Sequence, residues 1–293
     1  MNRLYRLPAI VIVMFFAVLL TAGVGHAQPV IDRMTQQGVL TIGVRADAFP
    51  FTYLDTQGQP TGFSIDLVNL LKARLEDKLE RSIQIKFAPV NTTDRYEVVK
   101  QGKIDLLCDS SSFSRSRAMD ALYSTGYFQT GTQLLVRNDD NFGNQFRIGV
   151  IPGTTNADSV KRRLAFAEFV NLPNREAGLK ALENNRIDAL ASDGILLEAL
   201  RQASPNPDQL TVIPRNPYDE QTYACLIPPG NDRFQAAVNT TLTEFMQGVL
   251  DSNPEDLTLF DRWFGESGVV PIDREPVLAF FRRTISRDSA QTN

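Results

Sequence analysis

The sequence predicts an α/β chain folded into two similar lobes with a cleft between them. Three observations carry this. From residue 39 onward, apolar runs of strand length alternate with amphipathic helical stretches, the pattern of sheets covered by helices. One segment occurs twice without gaps: Val99-Lys100-Gln101-Gly102-Lys103-Ile104-Asp105-Leu106-Leu107 aligns with Leu182-Glu183-Asn184-Asn185-Arg186-Ile187-Asp188-Ala189-Leu190. Each copy reads as a helix end, a polar turn, a basic residue, Ile-Asp and a strand. Each copy also delivers a polar residue beyond its strand, Ser110 in the first and Asp193 in the second. Ligands of open α/β sheets bind outside the carboxyl ends of strands, and a cleft between lobes is a favoured pocket.

The chain begins with Arg3 and Arg6 ahead of an uncharged run from Ala9 to Val24, followed by Gly25-His26-Ala27. This is the pattern of a cleavable export signal over residues 1–27. An uncleaved membrane anchor is the alternative. No cysteine lies near the cleavage position, so a lipid-anchored form is not expected and the destination is a periplasm. His26 is the only histidine, so the exported chain would contain none. That removes Ser-His-Asp and Cys-His catalysis and histidine metal sites. A net charge of −4 and a pI near 5.2 give no footprint for nucleic acid. A monomer without cofactor, metal or catalytic residue is expected.

Residues 39–44 read as a buried strand with Arg45 at its C-terminal end. Ser64 is expected to cap a helix with Ile65, Val68, Leu71 and Leu75 on one face. Residues 83–87 alternate as a strand. The loop holding Thr92 and Arg95 leads to a helix over 96–101, ended by Gly102. The strand at 104–107 then enters Cys108-Asp109-Ser110-Ser111-Ser112-Phe113-Ser114-Arg115-Ser116-Arg117, the densest run of anion-binding side chains in the chain. Hydroxyls, backbone N–H groups and a guanidinium can together hold a carboxylate. A serine-rich helix cap at Ser114 is the alternative.

Residues 129–136 read as one strand, and after a polar stretch the pattern restarts with a strand at 146–151. Pro152-Gly153-Thr154-Thr155 opens a helix near 157–166. A helix over 175–183 feeds a strand at 188–192, and Asp193 begins the next helix. Strands follow at 210–213 and 222–227, then helices at 234–250 and 257–264. Cys108 and Cys225 are an even pair, which in an oxidising compartment suggests one disulfide, with two buried thiols as the alternative. If they pair, the strand at Cys225 lies in lobe 1, and the chain crosses between lobes twice, forming a hinge. The expected division is residues 28–137 and 222–274 for lobe 1, 138–221 for lobe 2, and 275–293 for a C-terminal tail. The tail's apolar patch at 277–281 is read as packing or disorder ahead of membrane contact.

The motifs in order are Gly38-Val39-Leu40-Thr41-Ile42-Gly43-Val44-Arg45, Pro50-Phe51-Thr52-Tyr53, Gly62-Phe63-Ser64-Ile65-Asp66, Gln101-Gly102-Lys103-Ile104-Asp105, Ser110-x-Ser112-x4-Arg117, Gly153-Thr154-Thr155 and the stretch 188–193. Through them the chain resembles the extracytoplasmic solute-binding proteins of polar amino-acid ABC importers, most closely their glutamate/aspartate-binding branch, over roughly residues 39–265. The resemblance implies a two-lobed periplasmic binding protein fold of type II that closes on its ligand, and a membrane permease as partner. It assigns Ser110, Ser112 and Arg117 to the α-carboxylate and Asp193 to the α-ammonium. Thr154 and Thr155 would donate hydrogen bonds. Arg45 and Arg95, with Thr92 nearby, would hold a side-chain carboxylate, and both cysteines fall where that branch has a pair. Ala48 replaces the stacking aromatic of general amino-acid binders, as in the acidic branch. Arg175 and Ile151 stand where the branch admits histidine and threonine, so Arg175 is a further candidate contact. Four arginines against Asp193 make the expected cleft net positive. Two other readings share the scaffold. One is a periplasmic cyclohexadienyl dehydratase with Glu176 or Asp193 as general acid, and the other a sensor reporting to a membrane receptor.

Overall fold

The Ile-Asp unit that occurs twice in the sequence builds the same local structure twice. Asp105 N–H donates to the Thr41 carbonyl at 2.8 Å, and the Asp105 carboxylate accepts the Thr41 N–H at 2.8 Å. Asp188 N–H donates to the Arg147 carbonyl at 2.8 Å, and its carboxylate accepts the Arg147 N–H at 2.7 Å. Each carboxylate also takes a guanidinium, from Arg33 in the first copy and Arg147 in the second. In both, an aspartate at a strand entrance locks that strand to its parallel neighbour.

The computed structural model describes residues 29–138 and 145–291, with side chains through Asp288. The expected export signal therefore lies outside the described residues. The chain runs through α1 (Val30–Gln37), β1 (Val39–Val44), β2 (Asp47–Ala48), β3 (Thr52–Leu54), β4 (Pro60–Thr61), α2 (Phe63–Leu79), β5 (Gln84–Pro89), α3 (Arg95–Lys100) and β6 (Leu122–Thr130). It continues with β7 (Thr132–Arg137), β8 (Arg147–Val150), α4 (Thr155–Arg163), β9 (Glu168–Asn171), α5 (Arg175–Glu183), β10 (Ala189–Asp193), α6 (Gly194–Gln202) and β11 (Leu210–Ile213). It returns through β12 (Gln221–Ile227), α7 (Asp232–Leu250), α8 (Pro254–Phe264) and α9 (Glu275–Gln291).

In lobe 1, β1 pairs in parallel with β5 and bridges in parallel to Leu106. Leu107 then bridges antiparallel to Leu226 of β12, which pairs antiparallel with β6. Lobe 2 repeats this order in its five-stranded sheet β11-β7-β10-β8-β9, parallel from β9 to β10 and antiparallel beyond. Side chains alternate across that sheet. Leu134, Val136, Ala189 and Ala191 pack with α4 on one face, while Leu135, Leu190, Leu182 and Leu197 pack with α5 and α6 on the other. The central β10 is buried along its whole length.

Two expectations are corrected. Residues 129–136 are two strands, because Gly131 lies where the chain crosses between lobes. A Cβ there would sit 2.0 Å from the Asp219 carbonyl on the returning segment, so only glycine lets the two crossings touch. Thr132–Arg137 therefore belongs to the second sheet, and 28–137 runs too far as the first part of lobe 1. Ser64 is not a cap. The helix opens at Phe63 after Gly62, which has φ 133°, and Ser64 Oγ instead meets the Tyr127 hydroxyl at 3.0 Å. For the tail, packing is the reading observed: residues 275–291 form α9, whose Val277, Phe280 and Phe281 complete the lobe 1 core. Among the described residues no helix is long and apolar enough to cross a membrane.

Candidate functional site

The C-terminal ends of β1 and β10 and the first turn of α5 meet where the lobes touch. Arg45, one residue past β1, is 2% exposed. Its Nε and Nη2 donate to Asp47 Oδ1 at 3.1 and 2.8 Å, and its Nη1 reaches Asp109 Oδ2 at 3.2 Å and Ser110 Oγ at 3.3 Å. Asp109 is fully buried, and its other oxygen has no hydrogen-bond partner among the described residues.

From lobe 2, Arg175 opens α5 behind its Asn174 cap. Its Nε donates to Ser192 Oγ at 2.8 Å. Its Nη1 crosses the cleft to the Asp47 carbonyl at 3.0 Å and the Asp47 carboxylate at 3.5 Å. Two guanidiniums from opposite lobes thus converge on one carboxylate. Asp109 and Asp47 hold the Arg45 guanidinium above its ordinary pKa against the opposing effect of burial. Arg175 is lowered, by burial first and then by facing Arg45, so it is the less compensated cation.

Asp193 closes β10 and is 2% exposed. Burial raises its carboxyl to about 6, although Arg175, Asn156 and Tyr223 each favour the charged form. Asn156 donates to it at 3.3 Å, and the buried Tyr223 ring places its hydroxyl beside it. Asp193 precedes α6 without a side-chain capping bond, so helix capping does not account for its place.

Gln221, the first residue of β12, joins the lobes. Its side-chain oxygen accepts Ser112 Oγ at 2.7 Å from lobe 1 and Thr155 Oγ1 at 2.5 Å from lobe 2. Its nitrogen donates to Thr132 Oγ1 at 2.8 Å and Asp219 Oδ1 at 3.2 Å on the two crossings. Thr154 is occupied differently: its hydroxyl caps α4 by accepting Ala157 N–H at 3.2 Å and donates to the Ile151 carbonyl.

The remaining candidates gather around Tyr96. The Arg95 and Arg117 guanidiniums each lie 4.9 Å from its ring centroid, a cation–π arrangement. Arg95 is buried, donates to the Thr92 carbonyl, and has an Nε without a hydrogen-bond partner among the described residues. Arg117 is 45% exposed at the end of a 3₁₀ turn and lies 3.9 Å from Asp120. No hydrogen bond or ion pair among the described residues joins Arg117 to Arg45, Ser110 or Arg175.

The structure therefore brings together Arg45, Ser110, Ser112, Thr155, Arg175 and Asp193. It sets Thr92, Arg95 and Arg117 in a neighbouring group, and Thr154 on a helix cap. Sequence reasoning missed Asp47, Asp109, Gln221 and Tyr223. Asp47 was legible in principle as an acid two residues from Arg45, whereas the other three depend on which segments return to the cleft. At the cleft itself two arginines, Arg45 and Arg175, meet three aspartates, Asp47, Asp109 and Asp193, so the expected positive surplus is not found there, and Arg95 and Arg117 lie in the neighbouring group. Glu176, a candidate acid, lies on the exposed face of α5 paired with Lys180 at 2.7 Å.

Cys108 and Cys225 form a disulfide, tying the serine-rich segment to β12. Two α/β lobes joined by two crossings, with polar groups from both lobes converging at strand ends, define a two-lobed solute-binding protein. The chain belongs to the bacterial extracellular solute-binding proteins, family 3, whose model matches residues 40–266. It is 25% identical over 276 residues to a glutamate/aspartate import solute-binding protein of Escherichia coli, covering 88% of each chain. It is 24% identical over 221 residues to a cyclohexadienyl dehydratase of Pseudomonas aeruginosa, covering 72% of this chain and 80% of that one. The fold matches an ancestral amino-acid-binding protein described as a precursor of cyclohexadienyl dehydratase, with a TM-score of 0.68 and 22% identity. That match covers 80% of this chain and 99% of the other.

Proposed function

We propose that this chain is the periplasmic binding component of an ABC importer, and that it captures an acidic or polar amino acid as a monomer by closing its lobes. Glutamate or aspartate is the favoured ligand, ahead of glutamine and asparagine. The observation that supports this most is the convergence of Arg45 and Arg175 on a single carboxylate across the cleft. A carboxylate held by paired guanidiniums away from water is bound more strongly than by either alone. Asp193, acceptor-only when ionised, suits an ammonium group. Arg95 and Arg117 beside Tyr96 supply charge for the other carboxylate. The closed form is the one a permease would select, and preferential binding to it shifts the open–closed equilibrium.

A second reading has its own support. Asp193, raised to about 6, has the character of a general acid, and one relative, 24% identical, is a dehydratase. One experiment separates the two. Ligand-free refolded protein is screened by thermal shift against the amino acids, and incubated with prephenate and arogenate. A rise in melting temperature with glutamate or aspartate and no turnover is the expected result. A rise with lysine or arginine but not the acidic amino acids would overturn the ligand class. Turnover would favour the enzyme.

A further inference from the structure

From the geometry around Asp47 we infer that this side chain is an internal competitor for the ligand's side-chain carboxylate. It ties the two lobes together and sets the balance between acidic and amide ligands. The inference rests on the amino-acid-binding reading above. Its parts are on the cleft itself. Asp47 comes from the two-residue strand β2 in lobe 1 and uses one carboxylate oxygen for Arg45 and the other for Arg175 of lobe 2. Its carbonyl oxygen takes the same Arg175 nitrogen. These bonds tie lobe to lobe.

The three partners differ in freedom. The Arg45 and Arg175 side chains are 2% and 7% exposed, and each is fixed by further bonds, Arg45 to Asp109 and Ser110 and Arg175 to Ser192. The Asp47 side chain is 31% exposed. The acid is therefore the member that can swing to water, and the two cations stay. An incoming side-chain carboxylate carries the same chemistry as Asp47 and needs the same Nε and Nη groups, so the two compete. A side-chain amide does not. Its NH₂ donates, and Asp47 is an acceptor already in place for it. Binding of the amide thus keeps the latch, whereas binding of the acid must displace it.

The test has two arms. In the first, small-angle X-ray scattering of ligand-free protein compares the wild type with Asp47→Asn and Asp47→Ala. Both variants are expected to show a larger radius of gyration, and acetate is expected to return Asp47→Ala toward the wild-type value. Unchanged dimensions in both variants overturn the latch. In the second, calorimetry measures glutamate and glutamine on the wild type and Asp47→Asn. The ratio of glutamate to glutamine affinity is expected to rise by at least about tenfold, the scale of making or breaking one charge-assisted hydrogen bond. An unchanged ratio overturns the selectivity role. If the wild type binds no amino acid, the ligand class proposed above fails, and the scattering arm still decides whether Asp47 holds the lobes together.

Discussion

Asp193 shows how one buried group can pull stability and binding in opposite directions. Its pKa rises from an ordinary 3.8 to about 6 because the carboxylate is out of water. The folded state therefore holds this proton more tightly than the unfolded state. Between roughly pH 6 and pH 4 the contribution of Asp193 to folding becomes more favourable as pH falls. An α-ammonium ligand needs the ionised form, so affinity moves the other way. Below pH 6 the dissociation constant for glutamate should rise by about tenfold per pH unit, as one proton must leave before binding. Calorimetry between pH 7 and pH 5 checks this, with Asp193→Asn expected to bind weakly and without that slope. Arg117 makes the complementary case. Its exposed ion pair with Asp120 is worth little to the fold. Arg117→Ala should leave the melting temperature nearly unchanged while weakening amino-acid binding by about 1.5–3 kcal/mol, the scale of one hydrogen bond to a charged group, with Arg95 still beside the carboxylate. Equal affinity in the variant and wild type would remove Arg117 from the site.

At the scale of elements, the recurring Ile-Asp unit explains why the site is built from strand ends. In both lobes the aspartate side chain replaces a backbone acceptor at the strand entrance, which fixes register. The polar residue beyond the strand is then delivered at the same place in each lobe. Asp105 and Asp188 were legible as a pair, because the pattern is local and the spacing of Ser110 and Asp193 follows from it. The serine-rich segment after Leu107 needs one further constraint, since it runs on into a loop with few apolar residues. The disulfide from Cys108 to Cys225, 117 residues apart in sequence, supplies it. Closing a loop of that length restricts the unfolded chain strongly. The double variant Cys108→Ser with Cys225→Ser should lose about 2–5 kcal/mol in denaturant unfolding. A change below 1 kcal/mol, on the order of a surface substitution, would show that the bridge is dispensable.

The whole molecule adds what no single segment carries. The crossings meet at Gly131, and Gln221 stands on the second crossing with bonds to both lobes and both crossing segments. One side chain at the crossing thus touches both lobes at once. Residues 275–291 extend beyond the matched family segment and return to lobe 1, where Phe281 is fully buried beside Phe260. α9 is part of the core and not a loose tail. Phe281→Ala should cost about 3–5 kcal/mol, as for other large buried aromatics, and thermal unfolding measures it. A loss under 1 kcal/mol, the range expected of an exposed position, would show that the helix is only lightly docked.

The sequence by itself determined the alternation of strands and helices, the duplicated unit with Ser110 and Asp193 beyond its strands, Arg45 at a strand end and the even cysteine pair, while Ser112, Thr155 and Arg175 were assigned through the family resemblance. The former are local or paired features. Helical spacing, a repeated Ile-Asp and an even cysteine count are all visible without knowing who lies beside whom. Only the tertiary structure decided that the strand at Thr132 belongs to lobe 2, that Gly131 marks the crossing, and that α9 closes the core. It also decided the charge of the site. Asp47 and Asp109 answer Arg45, and Gln221 and Tyr223 arrive on β12 from the far side of lobe 2. The electrostatics of a buried site depend on which segments the fold brings within a few ångströms. In a chain that crosses twice between lobes, such neighbours can be far apart in sequence: Asp47 and Arg175 are separated by 128 residues, and Ser112 and Gln221 by 109.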